Sequence, residues 1–155
     1  MTKNALNSIF LYLLKIQNST KMTSKVIYQG LLRTEAEHLL SKDRIITDAP
    51  LDNNGKGEAF SPTDLVATSL ASCMATIMGI KANNAEINLD QITFDVEKKM
   101  GNDPRRIVQI NIYIDMKRNY NEKERRLLET AATNCPVAKS IHPDIIQEVN
   151  FIYPN

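Results

Sequence analysis

Little in this sequence suggests a metal centre. It holds two cysteines and two histidines, and no Cys-x-x-Cys, His-x-His or His-Glu-x-x-His spacing. A structural zinc site is therefore not expected. No excess of one charge exists either: 19 basic residues face 18 acidic ones, a formal net charge of +1. Binding to nucleic acid needs a clustered basic surplus, so neither DNA nor RNA is an expected partner. The pairs Arg105-Arg106 and Arg125-Arg126 are local, and the second stands among Glu122, Glu124 and Glu129, as on a solvated helix face. The apolar run Ile9 to Leu14 is much shorter than the roughly 20 residues that span a bilayer. No small-x-small cleavage pattern follows it, so neither membrane insertion nor export is expected. Two cysteines without an export signal point to the cytoplasm, where thiols stay reduced or work in redox chemistry.

What is present suits a soluble globular protein: 43% hydrophobic and 24% charged residues in 155. A chain this long buries enough surface to fold without disulfide or metal. Residues 1–21 read differently from the rest. Leu6, Ile9, Phe10, Leu13 and Leu14 recur at helical spacing, so this stretch is expected as an appended helix. Residues 22–155 are expected to form one domain.

Residues 25–40 alternate like one extended strand, and Arg44 to Thr47 like its returning partner. Pro50, Asn53-Asn54, Gly55 and Gly57 make the following stretch a loop. Ser61-Pro62-Thr63-Asp64 reads as a helix start, with a serine cap, proline in the first turn and an acid facing the helix dipole. The helix from Leu65 to Ala82 is apolar almost all round, as in a buried core helix. Ala67, Ala71, Ala75 and Gly79 form a small-residue ridge along it that permits close helix packing. Strands are expected at 92–100 and 107–116, an amphipathic helix at 122–133, a short helix at 136–141 and a last strand at 145–153. Strands, helix, strands, helix, strand is the order of an α+β fold, with helices gathered on an antiparallel sheet.

Two residues attract attention as chemistry. Cys73 lies inside the apolar helix, where a free cysteine most often serves as a small core residue. Cys135, in Asn134-Cys135-Pro136-Val137, sits where a helix begins; unpaired N–H groups there lower a thiol pKa. A bland reading of Cys135, a space-filler at a proline turn, competes on even terms. Arg33, Arg44, His38 and Asp64 are candidates to stabilise a thiolate, though each is commonly a surface residue.

The stretch Phe60-Ser61-Pro62-Thr63-Asp64-Leu65-Val66-Ala67-Thr68-Ser69-Leu70-Ala71-Ser72-Cys73 resembles the central-helix motif of the OsmC/Ohr family. Asn134-Cys135-Pro136-Val137 resembles that family's second cysteine motif. The resemblance covers residues 22–153. It implies antiparallel sheets wrapped around buried central helices in an intertwined homodimer, with no cofactor. It also implies a thiol peroxidase: Cys73 attacks an organic hydroperoxide or hydrogen peroxide, Cys135 resolves the sulfenic acid, and a dithiol reduces the disulfide. One position departs from the pattern. The residue after the motif proline is glutamate in the better-understood peroxidases, where it pairs with an arginine from the N-terminal hairpin. Here it is Thr63, and the acid comes one step later at Asp64, about 100° around the helix. This departure favours an alternative, an OsmC-like redox-sensing or apolar-ligand-binding dimer with little peroxidase activity.

Overall fold

The computed structural model describes residues 22–155; the helix expected at 1–21 lies outside them. These residues fall into two compact units that divide between Phe60 and Ser61.

The first unit is a three-stranded antiparallel sheet: β1 (Ser24–Gly30), β2 (Arg33–His38) and β3 (Arg44–Asp48), in that order. The single strand expected at 25–40 is thus two strands. They are joined at Leu31 and Leu32, whose φ angles are 51° and 63°. Two consecutive residues at positive φ are what a two-residue hairpin turn requires, because that twist matches the strands. Leucine is an unusual choice there, so no composition signal marks the turn. Cross-strand partners place Val26, Tyr28, Ala36 and Ile45 on one face of the sheet. Val26 and Tyr28 remain 61% and 63% exposed, so this apolar face is uncovered. After β3 the chain forms a 3-10 turn at Leu51–Asn53 and returns to bridge Thr47 with Phe60. Gly55 is required in this loop: a Cβ there would stand 1.7 Å from the Ala49 carbonyl oxygen.

The second unit holds α1 (Pro62–Asn84), β4 (Thr93–Asn102), β5 (Arg105–Asp115), α2 (Glu122–Thr133), α3 (Pro136–Ser140) and β6 (Ile146–Ile152). Its sheet order is β4-β5-β6. β4 and β5 pair antiparallel, but β5 and β6 pair parallel. The expectation of purely antiparallel sheets is corrected here: the sheet is mixed. The reason is the connection. A parallel pair needs a long crossover, and α2 and α3 supply it between β5 and β6. The buried Ile110, Ile112 and Ile114 lie on one face of β5, and with Leu70, Met74 and Met78 of α1 and Leu128 and Ala132 of α2 they form the core.

The start of α1 follows its sequence closely. Ser61 accepts the Asp64 N–H at 3.1 Å, Asp64 accepts the Ser61 N–H at 2.7 Å, and Pro62 opens the helix. The burial of α1 differs from expectation. Ala67, Leu70, Ala71, Met74, Met78 and Ala82 form one buried stripe, while Val66 and Ile80 are 42% and 50% exposed. Within this chain α1 is covered along one face only. The small-residue ridge is split accordingly: Ala67 and Ala71 are in the core, whereas Ala75 and Gly79 line an open groove.

Asp64 carries a pH-dependent part of the stability. Burial pushes its carboxyl up, but the Lys98 ammonium and the Ser61 donors outweigh this and hold it below the ordinary range. A depressed folded pKa contributes stability above the unfolded value, near 3.9, and loses it as pH falls through the folded value. We therefore expect Asp64→Asn to lower the urea midpoint at pH 7. The gap from the unmodified protein should close as pH drops below about 4. A gap that stays constant across that range would contradict this role.

Candidate active site

Cys73 sits about three turns into α1, and Cys135 caps α3. Cys135 has extended backbone (φ −66°, ψ 154°), as an N-cap should, and its Sγ accepts the Ala138 N–H at 3.4 Å. Pro136 at the first helical position both ends α2's run and opens α3. Both cysteines are free thiols. The two side chains are close enough for Cys73 to perturb the Cys135 thiol. Residues 62 positions apart in the sequence are thus brought near each other, because α1 packs against both α2 and α3.

The two thiols differ in exposure. Cys135 is fully buried and Cys73 half-buried. Burial pushes the Cys135 thiol above its ordinary value, and the adjacent Cys73 pushes the same way; the Ala138 and Val137 N–H groups pull against them. The expectation that its helix start makes Cys135 an acidic thiol is therefore reversed. The lowering donors are present, but desolvation of the charged form exceeds them.

Of the four residues considered as thiolate partners, Asp64 shares the second unit with the cysteines. It lies nine residues before Cys73, about 13 Å along the helix axis, and is bound to Ser61 and Lys98. It secures the helix start, not the sulfur. The other three belong to the first unit. Arg44 is exposed and paired with Glu35 at 3.2 Å and Glu37 at 3.1 Å. His38 meets the Ser41 hydroxyl at 2.8 Å through Nδ1. Arg33 is held most firmly: its Nη2 reaches Asp48 Oδ2 at 3.0 Å and Glu58 Oε2 at 2.5 Å. Asp48 also accepts the Glu58 N–H at 3.1 Å, so the three residues form one network. Its hydrogen bond from Arg33 keeps the Asp48 carboxyl below the ordinary range. Sequence reasoning missed Asp48. An acid closing a strand just before Ala49-Pro50 looks like a loop residue, and nothing local shows that it is buried.

Arg125 also departs from the solvated-face reading. Its guanidinium lies 4.0 Å from the centre of the Tyr153 ring, and its Nε donates to the Tyr120 carbonyl at 2.9 Å. Arg126 fits the expectation, pairing with Glu122 at 2.6 Å on the surface.

The helix-borne cysteine, the second cysteine capping a short helix and the mixed sheet behind them define a dithiol α+β protein. The family model for OsmC-like proteins matches residues 55–149, and the chain belongs to that family. A solved Psychrobacter arcticus structure, described as an osmotic stress induced and detoxification response protein, is 55% identical. The match covers 86% of this chain and 98% of that one, with a TM-score of 0.84. An organic hydroperoxide resistance protein OsmC from Legionella pneumophila shares the fold at 17% identity. It covers 86% of this chain and 98% of that one, with a TM-score of 0.68. So does an organic hydroperoxide resistance protein from Elizabethkingia anophelis, at 15% identity, 88% and 99% coverage and a TM-score of 0.66. Among curated proteins none matches.

Proposed function

We propose that this chain is a thiol-dependent peroxidase in which Cys73 is the peroxidatic residue and Cys135 the resolving one. Family membership and hydroperoxide-resistance relatives of the same fold support a peroxide-stress redox role. The observation that carries the finer reading is the nearness of two free thiols with unequal exposure. A peroxide reaches the half-exposed sulfur more easily than the buried one.

The reaction balances as follows. The Cys73 thiolate attacks the outer peroxide oxygen; an S–O bond forms, the O–O bond breaks, and an alcohol (or water) leaves with a proton. Cys135 then attacks the sulfenic sulfur, an S–S bond forms, and water leaves. An external dithiol reduces the disulfide by two exchange steps and is itself oxidised. The high thiol pKa of Cys135 keeps it protonated while Cys73 reacts, and nearness to the sulfenic sulfur favours its own later step.

Arg33 is our choice among the hairpin candidates for the arginine that the family resemblance calls for. Both arginines pair with two carboxylates, but Arg33 is the less exposed and one of its partners, Asp48, is buried, while Arg44 is exposed on the sheet. We further propose a homodimer in the cytoplasm. The uncovered apolar face of β1–β3 and the outward face of α1 support it, since a three-stranded sheet with one bare apolar face gains by burying it.

The test is peroxide consumption with excess dithiothreitol, using cumene hydroperoxide and hydrogen peroxide in parallel. Sustained turnover is expected. The second reading, a sensor or binding dimer, is favoured by Thr63 standing where the family's glutamate would, with Asp64 engaged in the helix cap. It predicts that one equivalent is consumed and turnover then stalls.

A further inference from the structure

A groove of about 760 Å³ runs between the second half of α1 and α2. That volume is within the range of small-molecule sites. Its floor is apolar, built from Ile77, Ile87, Leu127 and Ala131. Its rim carries Lys81, Lys123 and Arg126 against a single acid, Glu124. Arg126 is already paired with Glu122 at 2.6 Å, and Glu124 accepts the Asn121 N–H at 2.9 Å. Lys81 and Lys123 are exposed and have no ion-pair partner among the described residues. The groove therefore couples an apolar trough to two uncompensated ammonium groups.

We infer that this groove binds a straight-chain monocarboxylate of about eight to twelve carbons, a chain that fills the ~12 Å from Ala131 to Lys123 along α2. The alkyl chain lies over Ile77, Leu127 and Ala131, and the carboxylate sits between Lys81 and Lys123. The charge sign selects this ligand. A cationic amphiphile meets two like charges, and a neutral one leaves both ammonium groups without a partner. A dicarboxylate of the same length puts its second charge against the apolar end, where it loses hydration without gaining a partner. No redox step is involved, so the inference goes beyond the peroxidase reading and does not depend on it.

The experiment is calorimetric titration of the reduced full-length protein with decanoate, 1-decanol and decanedioate at low ionic strength. Decanoate should saturate at one per chain and bind more tightly than the other two. Raising the salt should weaken decanoate but not decanol. The double variant Lys81→Glu/Lys123→Glu should weaken decanoate about tenfold or more and leave decanol nearly unchanged. Both lysines are exposed, so the variant should fold; the salt series on the unmodified protein tests the same point if it does not. Cys73→Ser should bind decanoate normally, which separates this outcome from failure of the peroxidase reading. Three results would overturn the inference: no saturable binding, equal binding by the double variant, or a dimer that Leu127→Asp dissociates while decanoate has no effect. The last would mean that a second copy of the chain covers the groove.

Discussion

Cys73→Ser should abolish peroxide consumption, to the rate of dithiol alone. Cys135→Ser should still react once and leave a sulfenic acid on Cys73, detectable by mass spectrometry after dimedone trapping. The asymmetry follows from exposure and ionisation. Cys73 is half-buried and open to a small oxidant; Cys135 is fully buried and held protonated by desolvation. Removing the attacking sulfur leaves the other with neither access nor thiolate. Removing the resolving sulfur leaves the first step intact and strands its product, which further peroxide should drive up the oxidation ladder to sulfinic acid. Sulfenate trapped on Cys135 in the Cys73→Ser protein, with no reaction in Cys135→Ser, would reverse the two roles.

Leu128→Ala should destabilise the protein by about 2–5 kcal/mol, read as a shift of the urea midpoint at constant slope. Leu128 is fully buried on α2, in the core shared with α1 and β5. Such a loss is a large part of the 5–15 kcal/mol typical of a whole domain. Leu127, one residue earlier, is 36% exposed, so Leu127→Ala should cost clearly less. The effect should also reach the site. α2 ends at Thr133, two residues before Cys135, so a cavity behind α2 loosens the element that positions the Cys135 sulfur. Disulfide formation should slow in Leu128→Ala and stay unchanged in Leu127→Ala. Equal midpoint shifts for the two variants would mean that burial in the core is not what distinguishes them.

What could be read from the sequence was mostly local. Ser61-Pro62-Thr63-Asp64 announces its capping box because all the participants lie within four residues. Asn134-Cys135-Pro136 announces a helix break and a new start for the same reason. The alternation of Ile110, Ile112 and Ile114 marks the inward face of a strand, and all three are buried. The Leu31-Leu32 turn was hidden, because two leucines at positive φ carry none of the usual Asn or Gly signal. The parallel pairing of β6 with β5 was hidden too, because strand direction is decided by where a 30-residue connection delivers the chain and not by the strand's own residues.

At the site, family resemblance singled out the two cysteines, but the raised pKa of the Cys135 thiol was not legible. The helix-start argument for Cys135 was correct about the donors and blind to burial, and burial has the greater effect. The network of Arg33, Asp48 and Glu58 was only partly visible. It joins two strands and a loop, and a buried aspartate cannot be told from an exposed one by its neighbours in sequence.

The central claim is that Cys73 and Cys135 act as one redox pair within a chain. Its most direct test is to add one equivalent of cumene hydroperoxide to the reduced protein, quench with an alkylating agent and map the cysteines by non-reducing peptide mass spectrometry. We expect both thiols to vanish together and a single Cys73–Cys135 linked peptide to appear, with no covalent dimer on a non-reducing gel. Two alkylated thiols surviving the oxidant, or bridges found only between chains, would contradict the account.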